Sequence, residues 1–219
     1  MRVANWVLAA AVVAASSYVL GWFLPIPDWV NVAWKGAGVS LLAVYAALNA
    51  KNLDGWLLAV VMAFGALGDM LLETHGLVTG ALAFLAGHLT AIALYLRNRR
   101  PAAAVDWAVA AGIVVSVTVA AYLLPPERAG AGLIALYALG LAAMAAAAWL
   151  SRFPRALVAA GALMFCVSDL LIFLRTGRPA LDILPIGLAV WGLYFAGQAL
   201  IAVGVVRGLA GGASSQSQL

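Results

Sequence analysis

Apolar residues fill this chain in long runs, parted by short stretches that carry most of its charge and proline. A helix crossing the hydrocarbon needs about 20 apolar residues and satisfies its own backbone hydrogen bonds there. Reading the runs between charged or Pro/Gly breaks predicts eight spans, over residues 3–24, 30–50, 53–73, 77–96, 107–124, 129–150, 156–174 and 183–206. The connections are too short to hold a separate domain. The pattern therefore predicts an all-α polytopic membrane protein, with one eight-helix transmembrane domain over residues 1–210. The tail, 211–219, offers no apolar face to bury and is expected to be disordered. Arg2 ahead of an Ala/Val-rich stretch has the outline of a signal peptide. The apolar run continues through Tyr18, Leu20, Trp22 and Phe23, however, past the roughly 7–15 residues of a secretory apolar region. It is expected to stay as the first helix.

Composition narrows the class further. Of 219 residues, 66% are hydrophobic and 9% charged, with a mean hydropathy of +1.07; globular domains run near 45–50% apolar and about 25% charged. A soluble domain, a disordered chain and a nucleic-acid binder are excluded, despite a net charge of +4. The basic excess looks too thinly spread along the chain to form a phosphate-binding patch. A single cysteine, Cys166, excludes a disulfide framework and Cys-based zinc or iron–sulfur sites. Two histidines are too few for a His-rich metal site, and no GxSxG elbow exists. No metal ligand set is expected.

Orientation follows from Lys and Arg in the short loops. One side carries Arg2, Lys51, Arg97, Arg99, Arg100, Arg152, Arg155 and Arg207; the other carries Arg128, Arg175 and Arg178. Eight against three predicts both termini in the cytoplasm. Trp22, Trp29, Trp56, Trp107, Tyr122 and Trp149 stand near span ends, as an aromatic belt requires.

The two halves echo one another. FGALGDMLLE (64–73) in the third span and MFCVSDLLIF (164–173) in the seventh each hold a small residue, an Asp and three large apolar residues. FLAGHL (84–89) and YFAGQA (194–199) follow them, sharing Ala-Gly and then a polar side chain. Spans three and seven run in the same direction, so the echo fits two parallel four-helix repeats related by an axis along the membrane normal.

Ionisable groups inside the bilayer cost about 2.5–3.5 kcal/mol near its centre and mark function by default. Here they are Lys35, Asp69, His88 and Asp169, with Glu73 at a span end. At about 1.5 Å per residue, Lys35, Asp69 and Asp169 fall in one layer roughly 6–8 Å below one interface, with His88 and Tyr194 roughly 16 Å down. Plainer readings stand beside the functional one. Lys35 is close enough to the interface to snorkel, and could join the aspartates in a structural ion pair. Two carboxylates with one cation would still leave a charge over. His88 suits an interhelical hydrogen bond, and Tyr194 and Gln198, at i and i+4, suit helix–helix glue. Glu73 reads as solvated, Cys166 as core, and Ser168 as a packing residue or hydrogen-bond donor.

LGDMLLE, FLAGHLTAIALY (84–95), SDLLIF and YFAGQALI (194–201), in that order and in an eight-span frame, resemble the YhhN family, the lysoplasmalogenases of bacteria and animals. The resemblance covers nearly the whole chain. It departs where Gly36 follows Lys35, since the family usually has Lys-Pro there; that puts the local kink in doubt, not the lysine. The resemblance implies hydrolysis of the vinyl-ether bond of a lysoplasmalogen, giving a fatty aldehyde and a glycerophospho-base, with no metal or organic cofactor. It also implies that Asp69 and Asp169 are the essential pair.

The chemistry agrees with the residues. Protonation of the alkene carbon gives an oxocarbenium-like cation, water adds, and the hemiacetal collapses. That needs one protonated acid and one ionised carboxylate, the division of labour glycosidases use, and two carboxyls in a low-dielectric site divide their protons in this way. One of Asp69 and Asp169 is expected to be the acid and the other the base, in either order. Lys35 would hold a carboxylate ionised or meet the lipid phosphate, while His88, Tyr194 and Gln198 would line the substrate site. The expected partners are a lysolipid substrate and membrane lipid, with no nucleic acid and the oligomeric state open. A small proton-coupled transporter using the same aspartates is the alternative, and a non-catalytic scaffold ranks last, having no use for two buried carboxylates.

Overall fold

The computed structural model describes the backbone of residues 2–216 and the side chains through residue 211. Eight long helices make up the fold: α1 (Arg2–Gly21), α2 (Asp28–Asn49), α3 (Leu53–His75), α4 (Leu77–Arg97), α5 (Ala104–Leu123), α6 (Ala131–Leu150), α7 (Val158–Arg175) and α8 (Leu184–Gln216). A 3-10 turn, Pro179–Leu181, lies between α7 and α8. Each of the eight is long and apolar enough to cross a membrane, so the chain is an integral membrane protein.

Helix ends move where local chemistry outweighs hydropathy. The first apolar run was expected to carry helix to residue 24, but α1 stops at Gly21. Pro25 and Pro27 follow, and a residue ahead of proline is pushed out of the α region. Conversely, α5 starts at Ala104, three residues before its expected start. Its first turn tolerates a charge because the Asp106 carboxylate accepts from the Ala103 backbone N–H (3.2 Å), where orphan donors and the helix dipole favour an anion. In α3 the cap is Asn52, whose side chain accepts from Gly55 N at 3.0 Å. The tail expected to be disordered begins at 211, and α8 is helical through Gln216. Residues 217–219 lie outside the described residues.

The chain divides into two compact units. The first comprises Met1–Leu94 and Val205–Leu219, the second Tyr95–Gly204. In the first, α1 packs on α2 and α2 on α3. The Trp34 indole N–H donates to Ser17 Oγ at 3.0 Å, and Gly36 lies against Met70, where an added Cβ would come within 2.9 Å. No proline interrupts α2, which runs unbroken through Lys35 and Gly36. In the second, α5 packs on α6 and α6 on α7. The backbones of α7 and α8 nearly touch: a Cβ on Gly161 would lie 2.6 Å from the Gly197 carbonyl oxygen, and the reverse holds. Ser168 Oγ donates to the Val190 carbonyl at 2.9 Å between the same helices.

Side-chain size sorts inward and outward here, as expected where lipid is as apolar as the core. Along α6, Ala138, Ala142, Ala145 and Ala148 are fully buried while Leu133 and Leu136 are more than 60% exposed.

The internal echo returns as a shared burial register. In α3 the buried positions are 58, 59, 61, 62, 65, 66, 68 and 69, besides Gly55. In α7 they are 158, 159, 161, 162, 165, 166, 168 and 169, besides Phe173. The following helices match too, with Gly87, His88, Ala91 and Leu94 buried in α4 and Gly197, Gln198, Ile201 and Gly204 in α8. Both helix pairs turn through a glycine with positive φ, Gly76 (φ 82) and Gly177 (φ 73), a conformation that closes a helix at little cost only for glycine.

Candidate active site

Asp69 and Asp169 occupy equivalent places in their helices, each six residues before the end of α3 or α7. Both are buried, at 3% and 7% exposure. Asp69 belongs to the first unit and Asp169 to the second, and each is surrounded differently.

Around Asp69 the first unit gathers charge. Lys35 Nζ, on α2, forms an ion pair with Glu73 Oε1 at 2.5 Å. Glu73 lies one turn beyond Asp69 on the same face of α3. The Tyr18 hydroxyl of α1 lies within the field of Lys35, Glu73 and Asp69 together. Glu73, expected to be solvated at the span end, is exposed there and takes up the lysine charge. The reason is packing: α2 lies along α3, and a half-buried ammonium requires an anion within reach. Only a short side chain opposite Asp69 lets α4 approach, since a Cβ at Gly68 would strike the Phe84 ring at 2.8 Å. His88, 3% exposed, lies further along α4.

Around Asp169 the second unit gathers hydroxyl and aromatic groups. The Tyr137 hydroxyl, on α6, donates to Asp169 Oδ2 at 2.7 Å. The Tyr137 ring meets Phe173 edge-on at 6.0 Å between centroids. Cys166 lies one turn before Asp169 on α7, close enough to feel its charge. On α8, Tyr194 and Gln198 are both buried, and the Tyr194 ring packs T-shaped on Phe165 at 5.1 Å. Ser168 is the hydrogen-bond donor that one of its two expected roles required. Among the described residues, no three His, Cys, Asp or Glu side chains group as metal ligands.

Tyr137 and Tyr18 are absent from the residues expected at the site. The signal for Tyr137 is a lone hydroxyl in a span otherwise made of Ala, Leu, Gly, Ile, Met and Trp, since a buried tyrosine hydroxyl usually finds a partner. Chemically, the bond to Tyr137 commits Oδ2 of Asp169 as an acceptor.

The YhhN family profile matches residues 30–205, a stretch holding most of α2, all of α3 through α7, most of α8, and both aspartates. The chain belongs to the YhhN family. Two curated relatives, from Mycobacterium bovis and Mycobacterium tuberculosis, are each named lysoplasmalogenase. Each is 31% identical over 185 residues, covering 80% of this chain and 70% of the relative. No solved structure matches. In this YhhN-family chain the Lys35–Glu73 pair forms one turn from Asp69, and the Tyr137 hydroxyl bonds Asp169 directly.

Proposed function

We propose that this membrane enzyme, with its lysoplasmalogenase-like relationship, hydrolyses the vinyl-ether bond of a lysoplasmalogen to a fatty aldehyde and a glycerophospho-base. The observation that carries the proposal is the matched pair of buried aspartates, Asp69 and Asp169, at one burial register in two equivalent helices. Buried carboxyls in lipid-spanning helices are costly and are kept for chemistry or transport.

In the proposed reaction one aspartic acid delivers a proton to the alkene carbon next to the alkyl chain. The carbon–carbon double bond becomes single, and the positive charge is shared between the other vinyl carbon and the ether oxygen. The second aspartate takes a proton from water as its oxygen bonds to that carbon. The second aspartic acid then returns its proton to the glycerol oxygen as that carbon–oxygen bond breaks, while the first carboxylate takes the hemiacetal hydroxyl proton, so alcohol and aldehyde depart and both aspartates regain their starting states. Net consumption is one water. A general acid or base of this kind contributes about 10²–10⁴-fold. His88, Tyr194 and Gln198 are proposed to line the substrate site, and Lys35, tied to Glu73, to set the charge one helical turn from Asp69. We also infer from the loop arginines that both termini face the cytoplasm.

The test is aldehyde release from a lysoplasmenyl-ethanolamine by purified protein in detergent, beside Asp69→Asn and Asp169→Asn. Release by wild type, with neither folded variant retaining more than about 1% of it, supports bond, lipid and residues together. Near-normal release by either variant removes that aspartate from the mechanism. Silence of a folded wild type across several head groups would sink the substrate assignment.

A further inference from the structure

In the first unit α2 and α3 come closest where Gly36 meets Met70, with 2.9 Å between that side chain and an added Cβ. Lys35 and Asp69 are the sequence neighbours of these two residues, so their backbones stand at one level. The Lys35 ammonium nevertheless meets Glu73, one turn or roughly 6 Å nearer the end of α3 than Asp69. The direction is the expected one, since helical side chains lean toward the N-terminus and a lysine in a span carries its charge toward the interface.

Burial falls off along this ladder. Asp69 is 3% exposed, the Lys35 side chain 13% and the Glu73 side chain 31%. From inside to outside the groups run carboxyl, ammonium, carboxylate. An ethanolamine lysoplasmalogen runs in the complementary order toward water: vinyl ether, phosphate, ammonium. Five bonds separate its ether oxygen from its phosphorus, about 6 Å when extended at about 1.2 Å per bond. That length is one helical turn. A lipid whose vinyl ether is level with Asp69 therefore has its phosphate level with the Lys35–Glu73 pair.

We propose that the Lys35–Glu73 pair is a head-group subsite selective for a primary ammonium, with Lys35 binding the lysolipid phosphate and Glu73 the ethanolamine nitrogen. This rests on the reading of Asp69 as a group that reacts with an ether lysolipid. One lysine N–H is committed to Glu73 Oε1. Among the described residues, neither the other two N–H groups nor Glu73 Oε2 has a partner. The pair need not break to take up the head group: the phosphate accepts from the remaining lysine donors, and Oε2 accepts from the incoming ammonium. Each partly buried ion then gains an opposite charge and none is stranded. The chemistry also discriminates. An ethanolamine ammonium offers N–H donors to a carboxylate, whereas a choline trimethylammonium has none and is held best over aromatic faces.

The experiment is competitive binding, to the full chain in detergent, of two saturated 1-alkyl lysolipids that differ only in an ethanolamine or a choline head group. Neither carries a vinyl bond, so neither is turned over. Wild type is expected to bind the ethanolamine lipid about tenfold more tightly, the low end for a hydrogen bond to a charged group. Glu73→Gln should bring the two affinities together, mainly by weakening the ethanolamine lipid. Lys35→Met should weaken both lipids about tenfold, through the phosphate they share. Glu127→Gln, in the α5–α6 connection, should change neither. Should a single variant fail to stay monodisperse, Lys35→Met/Glu73→Gln, which strands no charge, is expected to bind both lipids equally and weakly. Equal affinities in wild type, or a preference that survives in a folded variant lacking the Glu73 carboxylate, overturns the proposal. The preference without aldehyde release would remove the vinyl-ether reaction and leave the subsite; aldehyde release without the preference would remove the subsite alone.

Discussion

The Tyr137 hydroxyl donates a 2.7 Å hydrogen bond to Oδ2 of Asp169, from the helix before to the helix that carries the aspartate. A hydrogen bond to a charged group contributes about 1.5–3 kcal/mol, and every 1.4 kcal/mol of barrier is a factor of ten. Tyr137→Phe keeps the ring against Phe173 and removes only the donor. It is expected to lower kcat for aldehyde release roughly 10–100-fold with KM little changed, and to shift the pH profile of kcat. An unaltered pH profile with a lowered melting temperature would reduce Tyr137 to a packing role.

The Lys35–Glu73 pair makes a non-additive prediction for single and double changes. Lys35→Met leaves Glu73 without its cation, and Glu73→Gln leaves Lys35 without its anion. Each is expected to cost about 1–2 kcal/mol, below the 3–5 kcal/mol of a fully buried pair, because Glu73 is 31% exposed. The double variant should recover most of the loss, since neither charge is then stranded. Thermal unfolding of the three proteins in one detergent checks this, and strictly additive losses would mean the two side chains act independently.

Those pairings also mark where sequence legibility ends. All eight spans were readable, because the bilayer imposes length and hydropathy on each helix separately. Asp69 and Asp169 were readable because an ionisable residue inside a span is conspicuous by itself. Tyr137 was not: its partner lies 32 residues away, and one tyrosine among alanines and leucines gives no hint of direction. Glu73 was legible as an exposed residue at a helix end, but its pairing was not, since the lysine it meets lies 38 residues away. The end of α1 and the start of α5 depended on two prolines and one capping carboxylate, which a hydropathy run treats only as interruptions.

Helix contact at Gly161 and Gly197 leaves no room for a methyl group. Gly161→Ala is expected to destabilise by about 1–3 kcal/mol through overpacking, even though alanine favours helix by roughly 1 kcal/mol over glycine. Gly112 and Gly192, with nothing within 4 Å of an added Cβ, supply the control. Alanine there should leave stability unchanged or slightly raised. A Gly161→Ala protein as stable as wild type would mean that α7 and α8 separate freely at this point.

Asp106 anchors two arginines and the start of α5 at once. Asp106→Asn keeps the shape and removes the charge, leaving Arg100 and Arg155 facing one another. A loss of about 2–4 kcal/mol is expected, reaching below the 3–5 kcal/mol of a fully buried pair because Arg100 and Arg155 are 28% and 37% exposed. Limited proteolysis should then cut first within residues 98–103 or 151–157. Unchanged resistance there would show that the backbone bonds from Arg100 N to the Leu150 carbonyl and from Arg152 N to the Asn98 carbonyl hold the two connections together without the carboxylate.

Two matching hairpins close in unequal ways. Gly76 alone joins α3 to α4, whereas Thr176–Ile183 join α7 to α8, so the second hairpin already carries a surplus of chain that its twin lacks. For anyone wishing to put a reporter on this protein, that surplus is the natural attachment point. An epitope or a fluorophore-bearing cysteine inserted beside Ala180 lengthens a connection that is already slack. The same insertion at Gly76 would have to be made in a turn only one residue long.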